Sequence, residues 1–209
     1  MSIPLHNYDE EKIKTLSSLE HIRLRSGMYI GRIGDGSNYD DGIYVLLKEA
    51  VDNSVDEYIM GYGDRIIVEI KDKTFAVRDY GRGIPLGKLI ECVSTINTGA
   101  KYNDDVFQFS VGLNGVGTKA VNALSKKFIA ASYRNGECRM VTFERGVLKS
   151  DKTIKDNKPD GTLIQFIPDD EIFGDFQVVD DIIKKRMYHY AYLNSGLKLF
   201  YNKRAFESS

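Results

Sequence analysis

An α+β two-layer sandwich, with a mixed but mainly antiparallel sheet covered on one face by helices, is the fold the sequence predicts. Three observations carry that expectation. Asn135-Gly136 separates two strand-like stretches, the strongest short hairpin signal. "RIIVEI" and "TFAVRD" alternate on either side of a short turn and form a second hairpin. Residues 43–60 and 178–194 carry helical, not strand, periodicity. Strands joined through hairpins build antiparallel sheets, and these leave one face for helices.

Each element has a local reason. Residues 1–17 are polar and read as an arm, followed by one domain over 18–209. "SSLEHIRLRSGMYIG" opens a helix, with Ser17 or Ser18 as its cap and Glu20 in the first turn. "GSNYDDG" is loop. The helix over 43–60 ends near Gly61 and has Val51, Val55 and Ile59 as its apolar face. In the next strand Ile66, Val68 and Ile70 share one side. Residues 86–96 form a short helix, "NTGAKYNDD" a loop, and residues 116–125 another helix. "KFIAASYR" and "ECRMVTFE" flank the Asn-Gly turn, and "TLIQFIP" is a further strand. Tyr188, Tyr190 and Tyr192 in the late helix are expected to pack in the core and line a groove. "LKLFYN" is the last strand, and the end just after "KRAFE" reads as a cut.

Composition narrows the function classes. The 209 residues are 42% hydrophobic and 28% charged, ordinary for a globular protein. A net charge of -1 gives no global sign of a polyanion-binding surface. Cys92 and Cys138 lie far apart without CxxC spacing, so two reduced thiols are expected. No run reaches the ~18–20 apolar residues of a membrane span, and the opening "MSIPLHNYDEEKIK" lacks the basic-then-apolar order of a signal peptide. A cytoplasmic location with no membrane partner follows as the expectation. His6, His21 and His189 show no ligand spacing.

Three stretches carry chemistry. In "KEAVDNSVDE", Glu49, Asn53 and Asp56 fall on neighbouring positions of one helix. They are either a solvated face or a carboxylate for water beside an amide oxygen for a hard cation. In "RDYGRGIP", Asp79 at a strand end can accept from an exocyclic amine, and nearby glycines let a flat base approach the backbone. The alternative is a tight turn with a solvated aspartate. "GLNGVGTKA" has P-loop spacing, but Thr118-Lys119 is the wrong order. It also matches the dinucleotide fingerprint GxGxxA. The following strand, however, turns back at Asn135-Gly136 instead of continuing a βαβ unit. What remains is a plain glycine-rich turn, or a loop whose backbone approaches phosphate.

The order of these blocks, with "GTLIQF" as a fourth, resembles the signature of the GHKL ATPase superfamily and its Bergerat ATP-binding fold. "RSGMYIG" ahead of them is similar to the ATPase domain of bacterial type II topoisomerase B subunits. The resemblance runs from about Tyr8 to Tyr201.

It implies ATP and Mg²⁺ as ligands, with Glu49 as general base and Asn53 on the metal. Asp79 would take the adenine amino group, with Thr162 beside it through water. Gly81, Gly83, Ile84 and Pro85 would form the adenine wall. Gly112, Leu113, Asn114, Gly115, Val116 and Gly117 would form the phosphate lid, and Lys101 and Phe107 would flank the nucleotide. Asp56 and Arg82 would support the site as an ion pair, and Tyr8 and Ile13 would belong to an arm that reaches the partner's site.

Implied partners are DNA through the full-length enzyme, an A-type topoisomerase subunit, a second B subunit on ATP binding, and small-molecule ATP-site inhibitors. A transducer domain, expected beyond the cut, would supply the γ-phosphate lysine. Asn114 stands where gyrase B has His and Phe107 where it has Tyr. Met140 stands where an arginine contacts aminocoumarins, which implies weaker aminocoumarin binding. The stretch between Pro85 and Thr98 is short. These features favour the branch of topoisomerase IV B subunits over that of DNA gyrase B. Within the superfamily, Hsp90-type chaperones and MutL-type repair clamps are the alternative.

Overall fold

The Ser17 hydroxyl accepts from the Glu20 N–H, and the Glu20 carboxylate accepts from the Ser17 N–H. This reciprocal cap starts α1 (Ser18–Leu24) as the sequence predicts. The structure, a computed structural model, describes residues 16–96 and 115–207. A short α2 (Ser26–Ile30) follows, then α3 (Gly42–Ile59), the longest helix among the described residues. Next come β1 (Arg65–Lys71) and β2 (Thr74–Asp79), a 3-10 turn at Leu86–Lys88, α4 (Leu89–Ser94) and α5 (Gly117–Ala123).

The second half runs β3 (Ser125–Arg134), β4 (Glu137–Glu144), β5 (Val147–Lys155), β6 (Gly161–Pro168), α6 (Asp170–Phe173), α7 (Asp180–Leu193), β7 (Lys198–Tyr201) and β8 (Arg204–Phe206). Among the described residues the strands form one eight-stranded sheet, ordered β5-β4-β3-β6-β2-β1-β7-β8. Every neighbouring pair is antiparallel except β1 and β7. This is the mixed, mainly antiparallel sheet expected.

The helices cover one face. Phe75, Val77, Phe128, Ala130, Val141, Ile164 and Phe166 point from the sheet into a core completed by Leu46, Leu47, Ala50 and Val51 of α3. Phe75 and Phe166 stack with ring centroids 5.0 Å apart. The opposite face holds a small separate cluster of Ala131, Tyr133 and Cys138, with Leu163 packed on it. Cys92 and Cys138 are both free thiols.

Several expectations change. Ile59 is 41% exposed, because α3 ends there and the chain leaves through Gly61 and Gly63, both at positive φ. Of the three tyrosines on α7 only Tyr190 turns inward. Tyr192 is 80% exposed, and Tyr188 lies half out against the edge of Phe206. Two strands escape the sequence reading. β5 is exposed along nearly its whole length and carries no alternation to detect. Its Lys149, Lys152 and Lys155 suit an edge strand that must not recruit another chain. β8 has three residues and returns from β7 through Asn202-Lys203, both at positive φ. Among the described residues no helix is long and apolar enough to cross a membrane.

Candidate active site

The site is built where α3, the end of β2 and the start of α5 meet. On α3, Glu49, Asn53 and Glu57 recur every four residues, with Asp56 beside them. Leu46, Leu47, Ala50 and Val51 anchor the helix in the core, so the turn between Glu49 and Glu57 is held in place.

Glu49 packs against Gly117, the first residue of α5. A Cβ on Gly117 would lie 2.0 Å from Glu49 Oε2 and 2.9 Å from its carboxyl carbon. Glycine is therefore needed there for close approach, with no positive φ involved. A Gly117→Ala change should push the Glu49 carboxylate aside without unfolding the chain, because only the tip of a flexible side chain has to move. With Glu49 in the general-base role that the resemblance implies, steady-state ATP turnover of a longer protein containing this chain should fall about 10²-fold, the scale set by a 1 Å misplacement. The melting temperature should shift by only a few degrees, and turnover equal to wild type would show that Glu49 tolerates displacement.

Asn53 Nδ2 donates to the Glu49 carbonyl at 2.9 Å and to Thr118 Oγ1 at 2.8 Å. Asp52, next to it, is nearly buried and is held by Lys48 and by the Tyr190 hydroxyl of α7. Burial, with the Asp52 charge close by, pushes the Tyr190 phenol up so that it stays a donor.

Asp79 ends β2 and is 6% exposed. Its Oδ1 accepts from Gly81 N–H at 3.0 Å and from Thr162 N–H at 3.1 Å, and Ser54 Oγ lies 3.4 Å from Oδ2. Burial raises its pKa to about 6, and the two backbone N–H bonds oppose that rise. Asp79 and Thr162 are thus brought together, by a direct bond from the Thr162 N–H. Gly161 must be glycine here: its φ is +134° and a Cβ would lie 2.3 Å from the Asp79 carbonyl.

Arg82 corrects an expectation. Its Nε and Nη2 reach the two Glu57 carboxylate oxygens at 3.2 and 2.9 Å, and its N–H also reaches Glu57. The ion pair at this position is Glu57–Arg82, not Asp56–Arg82. Residues 56 and 57 lie about 100° apart around the helix, and only the packing decides which one meets the loop. Asp56 is 2% exposed and sits inside the fold. The fourfold spacing 49, 53, 57 was the signal that could have found Glu57.

The loop after Asp79 is clamped by the β3–β4 hairpin. Arg134 Nη1 donates to the Gly83 carbonyl, Ser132 Oγ to the Ile84 carbonyl and Arg139 Nη1 to the Leu86 carbonyl. None of these three was found from the sequence, because each acts through strand register. Register also corrects Met140. It pairs with Ala131, and so lies on the face away from the helices, while Ser132 and its partner Arg139 face the loop. The arginine beside the loop after Asp79 is Arg134, whose Nη1 donates to the Gly83 carbonyl.

Gly115 and Val116 lead into Gly117 as the described end of the glycine segment, with Gly115 at φ +59°. Ile84 packs on the core and Pro85 is exposed. Tyr8, Ile13, Lys101, Phe107, Gly112, Leu113 and Asn114 lie outside the described residues. Among the described residues no cluster of three His, Cys, Asp or Glu could cage a metal. A hard cation that keeps phosphate and water oxygens and takes one amide oxygen fits this donor set.

A buried aspartate held for an amine, with a carboxylate and an amide one helical turn apart beside a glycine segment, suits an adenine nucleotide. Residues 38–172 match the model of the histidine kinase-, DNA gyrase B-, and HSP90-like ATPase family, and the chain belongs to that family. It is 64% identical to the B subunit of DNA topoisomerase 4 from Borreliella burgdorferi over 97% of its length, and it spans 34% of that protein. It is 41% identical to the B subunit of the type 2 topoisomerase from Aquifex aeolicus, covering 91% of this chain and 25% of that protein. Among solved structures it superposes on the 43K ATPase domain of Thermus thermophilus gyrase B, determined in complex with an aminocoumarin. The TM-score is 0.76 and the identity 31%, over 92% of this chain and 52% of that one. The chain therefore spans about a third or less of the length of these full-length relatives.

Proposed function

We propose that this chain is the ATP-binding part of a type II DNA topoisomerase B subunit of the topoisomerase IV kind. The observation that carries the reading is Asp79, buried and bonded by two main-chain N–H groups within reach of α3, in a chain 64% identical to a topoisomerase 4 B subunit. Asp79 accepts the adenine amino group, and the Gly81–Pro85 loop, clamped from the β3–β4 hairpin, forms the wall against the base. Glu49 orients the attacking water and takes its proton. Asn53 holds Mg²⁺, which when bound neutralises phosphate charge. Glu57 and Arg82 brace the loop, Asp56 supports the helix from within, and the glycine segment closes over the phosphates.

In this reading the larger protein is a clamp. Two B subunits close on ATP binding with their N-terminal arms exchanged, capture a DNA segment for an A-type subunit to pass, and reopen after hydrolysis. The work belongs in the cytoplasm, with the domain spanning residues 18–209 and the arm residues 1–17. The γ-phosphate lysine comes from a following transducer domain, so this chain alone binds ATP and hydrolyses it feebly.

A thermal-shift panel tests the reading. A non-hydrolysable ATP analogue and an aminocoumarin should each raise the melting temperature, and NAD should not. Stabilisation by NAD without the ATP analogue would overturn the assignment. Decatenation rather than supercoiling by the complete heterotetramer on plasmid DNA would place the protein with topoisomerase IV and not gyrase.

A further inference from the structure

Thr118 fails the P-loop pattern because it precedes Lys119, yet its hydroxyl lies inside the site. Its Oγ1 accepts from Asn53 Nδ2 at 2.8 Å. The same nitrogen donates to the Glu49 carbonyl, one turn back along α3, at 2.9 Å. An amide group is planar and its two ends differ in kind, donor on nitrogen and acceptor on oxygen. Two bonds from the nitrogen therefore set both the plane of the amide and the side to which Oδ1 turns. One of these acceptors is the backbone of α3 itself. The other comes from α5, directly after Gly117, which packs on the Glu49 carboxylate.

We propose that Thr118 is a positioning residue for metal binding, whose hydroxyl holds the Asn53 amide so that Oδ1 is presented to the divalent cation of a metal–nucleotide complex. The inference rests on the nucleotide reading above and adds a residue to it. Without the hydroxyl the nitrogen loses one of these two acceptors, and the orientation that presents Oδ1 is held less firmly against the flipped one, which would turn N–H donors toward a cation. The first two residues of α5 then set the two chemical groups of α3 together: Gly117 admits the Glu49 carboxylate and Thr118 orients the Asn53 amide.

Isothermal titration of this chain with a non-hydrolysable ATP analogue, in Mg²⁺ and in EDTA, tests the proposal. Wild type should bind more tightly in Mg²⁺. Thr118→Val keeps the shape and removes the acceptor, so it should lose about three- to tenfold of that Mg²⁺ enhancement, the worth of one hydrogen bond. Its affinity in EDTA and its ligand-free melting temperature should match wild type. Thr118→Ser should restore the enhancement, and Thr118→Ala, which removes the same acceptor with less bulk, should lose it as valine does.

Full Mg²⁺ enhancement in the valine and alanine variants would overturn the proposal. So would an equal loss in Mg²⁺ and EDTA, or a serine variant that behaves like valine. A wild-type chain that binds the analogue with no Mg²⁺ enhancement would remove the metal reading itself, and one that does not bind the analogue would remove the nucleotide reading.

Discussion

In a full-length subunit containing this chain, Glu49→Gln should leave ATP bound and almost unhydrolysed. Loss of a positioned general base costs about 10²–10⁴-fold in turnover. Glutamine has nearly the shape of glutamate, and the Glu49 carbonyl that holds Asn53 is main chain and survives the change. Nucleotide affinity should therefore stay within about threefold of wild type, because the lost interaction acts in the transition state. Single-turnover hydrolysis alongside equilibrium binding of the ATP analogue separates the two effects. Turnover near the wild-type rate would mean that Glu49 belongs to a solvated helix face and that another group activates water.

Asp79→Asn should reverse the usual link between function and stability. The carboxylate is buried and its pKa stands at about 6, against 3.8 for the ordinary group. A folded-state pKa raised in this way contributes stability that is full below the unfolded value and lost as pH rises through about 6. A shift of roughly two units corresponds to about 3 kcal/mol. Asparagine can keep both backbone bonds on its Oδ1 and turn its amide nitrogen to Ser54 Oγ, with no charge to desolvate.

The variant should therefore be more stable than wild type at pH 7.5, by about 1–3 kcal/mol, and gain nothing below pH 4. It should also lose ATP-analogue affinity by about 10²–10³-fold, because an amide N–H faces the adenine amine where an acceptor is needed. Wild-type affinity should weaken as pH falls through about 6, and the variant should lack that dependence. Denaturant melts and titrations across pH 5–8 measure both. Unchanged affinity would show that Asp79 is a structural acid and not the adenine acceptor.

How far the sequence was legible depended on whether a feature leaves a periodic trace. The long helix and the Asn135-Gly136 hairpin were clear because one buries a stripe and the other needs a particular turn. β5 left no trace because it buries almost nothing, and β8 is too short to show a period. Glu49, Asn53, Asp79 and Gly117 were found through motif order, and the structure brings them together. The partners that hold them were not. Whether residue 56 or 57 meets Arg82, and whether residue 139 or 140 faces the loop, turns on a single step of helix rotation or strand register. Ser132, Thr118 and Arg134 act across the fold, where local spacing carries no information.

The order of strands also bears on how the protein is made. Asp79 leaves the ribosome well before the residue that completes its cradle: the Thr162 N–H lies 83 positions later. β2 has to wait for β6, and β1 for β7, before the sheet can close around them. Contacts so distant along the chain are slow to form, and unpaired strand edges are exposed in the meantime. A nascent chain halted before Gly161 would carry Glu49 and still lack the Thr162 N–H that completes the surroundings of Asp79. On the role proposed for Asp79, the capacity to select adenine is thus acquired late in synthesis, when β6 inserts between β2 and β3, both already made.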